Sequence, residues 1–151
     1  MGKLKIKFNP IYVIFLFFCI YFGYFKEIVW YTLVLILHEF AHVIVGKLLG
    51  YNFDDVKLNL YGASVETKNK FVEKDEIIIS LAGPIFNILF ALILVGLWWA
   101  FPNTYDSTLV LFQANVAMAI FNLLPMFPLD AGRVVFITLK NKYSKKIARV
   151  I

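Results

Sequence analysis

The chain has 151 residues, of which 61% are hydrophobic and 18% aromatic. This composition is too apolar for an ordinary water-soluble domain and indicates that lipid surrounds most of the surface. The formal net charge is +5, but the basic residues flank apolar runs without interleaved aromatics, which argues against nucleic acid as a partner. The one cysteine, Cys19, excludes a disulfide framework within the chain.

The first apolar span, residues 10–25, follows a short basic segment and superficially resembles a signal peptide. It lacks a clear cleavage site of small residues, and further apolar spans follow at once. We therefore interpret it as a retained first helix.

The second apolar span, residues 28–49, is long enough to cross a bilayer as a helix but carries His38, Glu39 and His42 in its middle. Ionisable side chains without partners would oppose membrane insertion by on the order of several kcal/mol, so they mark a functional site. The three residues form an H-E-x-x-H motif. Positions i and i+4 share one helix face, so the two imidazoles can bind one Zn²⁺ while Glu39 takes a proton from a water that the metal acidifies. A structural hydrogen-bond cluster is the alternative, but both histidines of the chain lie in this motif.

The loop at residues 51–74 alternates apolar and polar side chains before and after Gly62. This pattern predicts a short β-hairpin at the membrane surface. Its exposed edge could accept an extended peptide as an added strand, or the loop could be an interfacial connection without a role. The pattern favours neither interpretation.

The third span, residues 76–101, contains small residues around Pro84 and an amide side chain, Asn87, within the membrane. Small residues allow helices to approach closely, and proline frees a backbone carbonyl. Asn87 requires a hydrogen-bond partner, either on a neighbouring helix or in an active site.

The fourth span, residues 108–124, continues into a stretch to residue 140 that is interrupted by Pro125 and Pro128. Irregular backbone at membrane depth is tolerated only inside protein or beside a cavity. Asp130 lies in this break and is the obvious third ligand for a zinc ion, which needs three protein ligands and an open position. A helix cap outside the membrane is the alternative.

Basic residues precede the first span, lie in the loop at 51–74 and follow the fourth span, whereas the two opposite loops contain only Lys26. The positive-inside rule therefore places both termini and the loop at 51–74 in the cytoplasm. The sequence predicts an all-α polytopic membrane protein that forms a single domain over residues 1–151. It would have about four transmembrane helices, a small β-hairpin at the cytoplasmic face and a proline-broken fourth helix.

Three motifs in order resemble the site-2 proteases, zinc metalloproteases that cut within membranes. They are HEFAH in one span, AGPIFN in the next and NLLPMFPLDAGR in a third. The resemblance covers about residues 8–136 and is strongest to the bacterial branch that processes a membrane-tethered sporulation sigma factor. It implies one Zn²⁺ per chain bound by His38, His42 and Asp130, with Glu39 as the catalytic base.

The resemblance further implies that Asn87 and Asn122 lie near the site and hold the substrate backbone or the oxyanion. The strand edge within residues 56–67 would help to present an extended substrate segment. The implied protein is a bacterial multi-pass membrane protein. Its implied partners are a membrane-tethered protein substrate, the lipid bilayer and membrane regulatory proteins, with no nucleic acid.

Two features depart from the pattern of that family. Ala131 stands where the family usually has the first glycine of LDGG, and we expect the added methyl group to restrict the backbone beside Asp130. The chain also ends at Ile151 among basic residues that normally lead into further spans, so it is either a catalytic core fragment or an unusually short member.

Two other functions compete with an intramembrane zinc endopeptidase. A non-catalytic homologue could bind substrate helices, but the intact Glu39 argues against it. A metal or proton transporter also has ionisable residues within the membrane. Such a transporter would distribute polar residues along several spans and often contains internal repeats, which the sequence does not show.

Overall fold

The computed structural model describes residues 5–8, 10–51, 55–59, 62–66 and 71–147. This part of the chain is predominantly helical and includes one small sheet. The helices are α1 (Pro10–Tyr21), α2 (Phe25–Leu48), α3 (Glu73–Ala100), α4 (Tyr105–Asn122) and α5 (Asp130–Ile147), with a 3-10 turn at Pro102–Thr104 before α4. The strands are β1 (Lys5–Phe8), β2 (Asp55–Asn59) and β3 (Gly62–Glu66).

Two long helices begin three residues earlier than the apolar spans predict. The first turn of α2 contains Glu27, and that of α3 contains Glu73, Asp75 and Glu76. Acidic side chains interact favourably with the positive end of the helix dipole, so charged residues that seemed to lie between spans belong to the helices. The ends of both helices lie within one residue of the prediction.

A glycine in the left-handed conformation ends each of the first two helices. Gly23 has φ 84° and Gly50 has φ 90°. After α1, the Tyr24 amide donates to the Cys19 carbonyl and the Gly23 amide to that of Ile20, which is the hydrogen-bond pattern of a Schellman cap. This cap ends α1 at Tyr21, four residues before the predicted end of the first span.

The three strands form one sheet in the order β1-β2-β3. β2 and β3 are antiparallel, with Asn59 opposite Gly62 and Asp55 opposite Glu66. β1 pairs parallel with β2, with Lys5 opposite Asp55. The pairing of an N-terminal strand with this loop was not predicted from the sequence.

The helical core forms where α2, α3 and α4 meet. Val34, Leu94, Leu111 and Ala114 form its buried cluster, which Trp30, Phe90 and Phe112 surround. α3 is the central helix, since it packs against α2, α4 and α5. It continues through Pro84, so the Ser80 carbonyl lacks the amide donor that it would have in a regular helix.

Two of the described helices are long and apolar enough to cross a membrane, α2 and α3. Only 33% and 39% of their most apolar segments are buried. The core helix of a soluble protein would be mostly buried, so these helices present apolar surface outward. The prediction counted four such helices, but α1 has only 12 residues and α4 has 18.

Candidate metal centre

The centre is built on two histidines one turn apart on α2. His38 and His42 are both buried, and their Nε2 atoms lie 3.2 Å apart. The rings meet edge to face, with centroids 4.8 Å apart. The i, i+4 spacing therefore brings the two imidazoles to one point, as the motif predicts.

Asp130 completes a triangle of potential ligand atoms. Its Oδ2 lies 3.1 Å from Nε2 of His38 and 3.3 Å from Nε2 of His42. Ligand atoms 2.0–2.1 Å from a tetrahedrally coordinated zinc lie roughly 3.3 Å apart, so the three atoms have the spacing of one face of such a site. These three residues form the metal-ligating cluster found within the described residues.

The hydrogen-bond partners of the two Nδ1 atoms, which face away from the centre, define which ring nitrogen carries the proton. Nδ1 of His38 lies 2.5 Å from Oδ1 of Asn87, and Nδ1 of His42 lies 2.6 Å from the Ile79 carbonyl oxygen. Both contacts require Nδ1 to donate, so in each neutral ring Nε2 keeps its lone pair. Two lone pairs and a carboxylate oxygen then converge, an arrangement that a cation stabilises and that fits zinc.

Glycine at position 83 allows α3 to approach the two rings. A Cβ atom there would lie 2.6–2.7 Å from Cε1 and Nε2 of His38 and in contact with Nε2 of His42. No larger residue fits without displacing a ligand. Gly83 therefore permits close packing on the metal centre, a more specific role than the general helix contact that small residues suggest.

The break between α4 and α5 places Asp130 against the histidines. The chain leaves helical structure after Asn122, contains a cis peptide bond between Phe127 and Pro128, and resumes a helix at Asp130. Although Asp130 lies in the first turn of α5, its carboxylate contacts the imidazoles. The geometry thus favours the ligand interpretation over a simple helix cap.

Gly132, the second residue after Asp130, has no room for a side chain. A Cβ at Gly132 would collide with the Met126 carbonyl group and lie 2.8 Å from the Phe127 amide nitrogen. Ala131 lies in helical backbone with an unremarkable φ. The departure at Ala131 therefore leaves Asp130 in place, and the glycine at position 132 is the one that the fold requires.

Glu39 lies between the two histidines in the sequence and is buried with them. Adjacent helix positions differ by about 100°, so its carboxylate leaves the helix beside the face that carries His38 and His42. Its role as the catalytic base remains a prediction.

Asn87 contacts the centre only through its hydrogen bond to the potential ligand His38. It is fully buried, its oxygen accepts from His38, and its Nδ2 donates to Oδ1 of Asn115 at 2.9 Å. A side chain with no exposed surface cannot reach a substrate in this conformation. The geometry therefore favours orientation of His38 over the predicted contact with substrate or oxyanion.

Asn122 is half-buried at the end of α4, where its Nδ2 donates to the Met118 carbonyl at 3.1 Å. Its predicted role near the substrate remains a prediction. The amide that α4 contributes to the network is Asn115, which the sequence interpretation missed. The available signal was the one used for Asn87, an amide in the middle of an apolar span.

Comparison with known proteins places these residues in a family. The family described as "Putative zincin peptidase" matches residues 31–129, which is more than half of the chain. A zinc metalloprotease of Methanocaldococcus jannaschii is 32% identical over 120 residues, covering 75% of this chain and 35% of that protein. Stage IV sporulation protein FB of Bacillus subtilis is 27% identical over 121 residues, covering 76% of this chain and 41% of that protein.

A solved structure has a similar fold. The site-2 protease from Methanocaldococcus jannaschii matches with a TM-score of 0.77 at 24% sequence identity, covering 95% of this chain and 72% of that one. The chain spans about two fifths or less of the length of the two sequence relatives. The match to residues 31–129 includes both histidines, Glu39 and both buried asparagines. The chain therefore belongs to the zincin peptidase family and has the fold of a site-2 protease.

Proposed function

We propose that the protein is an intramembrane zinc endopeptidase that hydrolyses a peptide bond in or near a transmembrane segment of a membrane-tethered protein. The observation that carries this proposal is the convergence of His38, His42 and Asp130 inside helices whose outer faces are apolar. The match of this chain to the zincin peptidase family and its similarity to a protein named as a zinc metalloprotease support it.

Exposed apolar side chains support membrane embedding. They recur along the outer faces of the helices, and exposed patches of this extent are unusual on soluble monomers. Examples are Phe17, Phe18, Ile44, Leu92, Ile93 and Trp99. We propose that α2, α3 and α4 cross the bilayer and that α1, about 18 Å long at 1.5 Å per residue, forms a short first span.

The proposed orientation places both termini and the loop at 51–74 in the cytoplasm. Basic residues cluster at that side, as the positive-inside rule requires. Trp98, Trp99 and Tyr105 lie at the opposite end of α3 and α4, where aromatic residues are typical of the membrane interface. Because such aromatic residues are enriched at both membrane surfaces, they support a membrane interface at this end of the helices, whereas the orientation rests on the loop charges.

The proposed chemistry assigns separate tasks to the side chains. His38, His42 and Asp130 would hold one zinc ion, which when bound acts as a Lewis acid toward the scissile carbonyl and lowers the pKa of water. Glu39 would accept a proton from the attacking water and later donate it to the leaving amine. The water oxygen thereby forms the new bond to carbon as the carbon–nitrogen bond breaks.

The sheet offers a means of presenting an extended substrate. A helix hides its peptide groups in internal hydrogen bonds, so the cleaved segment must unfold locally. β3 is an edge strand of the described sheet and packs against α2, which carries the histidines. We propose that a substrate strand adds to this edge; a connection without a role in substrate binding is the alternative.

The more specific form of the proposal is release of a membrane-tethered sporulation sigma factor. The motif resemblance to the sporulation branch supports it, together with the similarity to a protein named as a stage IV sporulation protein of Bacillus subtilis. Membrane proteins that regulate access would be further partners.

Metal analysis and cleavage measured together test the proposal. The purified protein and the Glu39→Gln variant would be assayed for bound zinc and for cleavage of a membrane-tethered substrate in liposomes. We expect one zinc per chain in both proteins and loss of cleavage by several orders of magnitude in the variant, because glutamine cannot accept the proton.

Three outcomes would contradict the proposal in different ways. Absence of zinc from the wild-type protein under metal-replete conditions would remove its basis. Equal cleavage by wild type and variant would exclude Glu39 as the base. Bound zinc with substrate binding but no cleavage by the wild type would favour the non-catalytic homologue.

A further inference from the structure

A series of hydrogen bonds through three side chains connects the metal centre to the backbone of α4. Nδ2 of Asn115 donates to the Leu111 carbonyl at 2.8 Å, and Oδ1 of Asn115 accepts from Nδ2 of Asn87 at 2.9 Å. Oδ1 of Asn87 in turn lies 2.5 Å from Nδ1 of His38. All three side chains are at most 2% exposed. The series links α4 to α3 and α3 to α2.

The Leu111 carbonyl, at one end of this series of hydrogen bonds, fixes which group donates and which accepts at every step. A backbone carbonyl can only accept, so the atom of Asn115 that faces Leu111 must be its NH₂ group. The other atom of that amide is then an oxygen, which requires the NH₂ group of Asn87 opposite it. Asn87 consequently turns its oxygen toward His38, and Nδ1 of His38 must carry the proton.

The tautomer of the second histidine, His42, is fixed in the same way but by direct contact. Nδ1 of His42 faces the Ile79 carbonyl, again a group that can only accept. Both imidazoles are thus fixed by a helix carbonyl, His42 by contact and His38 through two intervening amides. This parallel explains why an amide as remote as Asn115 is buried beside apolar residues, where an unpaired amide would be destabilising.

We propose that Asn115 is a positioning residue for the metal centre, which sets the amide orientation of Asn87 and through it the tautomer of His38 that binds zinc. The proposal rests on the proposed function, because it takes the three converging atoms as zinc ligands. Asn115 itself contacts neither metal nor substrate.

Zinc affinity is the readout, measured by competition with a chelator on the full chain in detergent. Partners that orient ligand histidines typically contribute 10–100-fold to metal affinity. We expect Asn87→Ala to lie in that range and Asn115→Leu, one step further away, to lose about tenfold. Gln113→Leu removes an exposed amide from the same helix and should leave the affinity unchanged.

A double-mutant cycle separates positioning from general packing. If Asn115 acts through Asn87, adding Asn115→Leu to Asn87→Ala should cause no further loss of affinity. A second loss of the same size as in the single variant would mean an independent packing role and would overturn the proposal. So would an unchanged affinity in the Asn115→Leu single variant.

Asn115→Asp keeps the test decisive if the leucine variant does not fold. A buried carboxyl group is favoured in its neutral form, in which it donates to Leu111 and accepts from Asn87 as the amide does. We expect its zinc affinity, and the visible absorption of the Co²⁺-substituted protein, to remain within a few-fold of wild type. A tenfold loss in this variant with an unaltered fold would contradict the positioning role of Asn115.

The two proposals fail in different ways. If the wild type bound no zinc, the proposed function would fail. If the wild type bound zinc and the variants were unaffected, only the positioning role of Asn115 would be disproved.

Discussion

Single residues decide how closely the helices approach the candidate metal centre. Three potential ligands, His38, His42 and Asp130, converge at one point, and the orienting side chain of Asn87 contacts the first of them. Such convergence requires backbone close by on every side. At position 83 the backbone is so close that a single methyl group would occupy the space of the ligand nitrogens.

Gly83→Ala should therefore disrupt zinc binding. The new Cβ would lie 2.7 Å from Nε2 of His38 and touch Nε2 of His42, so at least one ring must move. We expect zinc affinity to fall by more than tenfold, comparable with loss of an orienting partner. The measurement is chelator competition on the purified protein.

Gly96→Ala is the matched control for that change. It lies on the same helix, where an added Cβ meets nothing within 4 Å. Zinc affinity should be unchanged, and stability should rise by roughly 0.5–1 kcal/mol because alanine is the better helix former. Equal zinc affinity in Gly83→Ala and wild type would contradict the close approach of α3 to the rings.

Much of the centre can be predicted from single residues, because ionisable side chains are costly in lipid and their spacing along a helix shows which of them share a face. His38 and His42 follow from helical periodicity, and Asp130 from its isolation within a broken apolar stretch. Asn115 could not be assigned in this way. Whether its amide meets Asn87 depends on the rotation of α3 against α4, which the sequence does not encode at any single position.

At the scale of elements, a polar clasp joins the two ends of the segment that contains β2 and β3. The Tyr51 hydroxyl donates to Asp75 at 2.7 Å and accepts from the Val72 amide at 3.0 Å. The Tyr51 ring also packs edge to face on Phe71. The clasp therefore ties the residue after α2 to the first turn of α3 and closes the base of the sheet segment.

Tyr51→Phe should loosen this clasp while retaining the ring contact with Phe71. We expect a small decrease in Tm and faster hydrogen exchange at the Val72 amide, which loses its acceptor. Tyr21→Phe changes an exposed tyrosine on α1 and should alter neither quantity. Unchanged protection at Val72 in Tyr51→Phe would show that the clasp does not hold the segment.

The same clasp has a pH dependence with a definite sign. The Val72 amide lowers the pKa of the Tyr51 hydroxyl, but hydrogen bonding to Asp75, desolvation and the Asp75 charge raise it, and the pKa lies above its ordinary value. The stabilisation is fully present below the ordinary tyrosine pKa of about 10 and is lost as pH rises through the higher value in the folded protein. The difference in Tm between wild type and Tyr51→Phe should therefore disappear only in strongly alkaline solution.

Helix existence was easier to predict than helix limits or strand pairing. Apolar length predicts α2 and α3, but it does not reveal that Glu27, Glu73 and Asp75 are helical, because charged residues at the end of an apolar run resemble a span boundary. The left-handed Gly23 ended α1 early. β1 was missed because its parallel partner β2 lies about fifty residues away, and local alternation carries no information about such a pairing.

For the whole molecule, charge distribution and helix length together predict which face is cytoplasmic. The 3-10 turn at Pro102–Thr104 lies at one end of α4, and α5 follows the other end after the proline-containing break. Eighteen helical residues span about 27 Å, nearly the thickness of the hydrocarbon core. Asn103 and Lys142, both exposed, should therefore lie on opposite sides of the membrane.

Cysteine labelling tests this orientation. In a Cys19→Ala background, which removes the chain's one cysteine, Asn103→Cys should react with a membrane-impermeant maleimide in intact cells. Lys142→Cys should react only after the membrane is permeabilised, because the basic residues that follow α4 remain in the cytoplasm. The reverse pattern would invert the topology and move the loop at 51–74 to the outer face. Reaction of both cysteines in intact cells would mean that α4 does not cross the membrane.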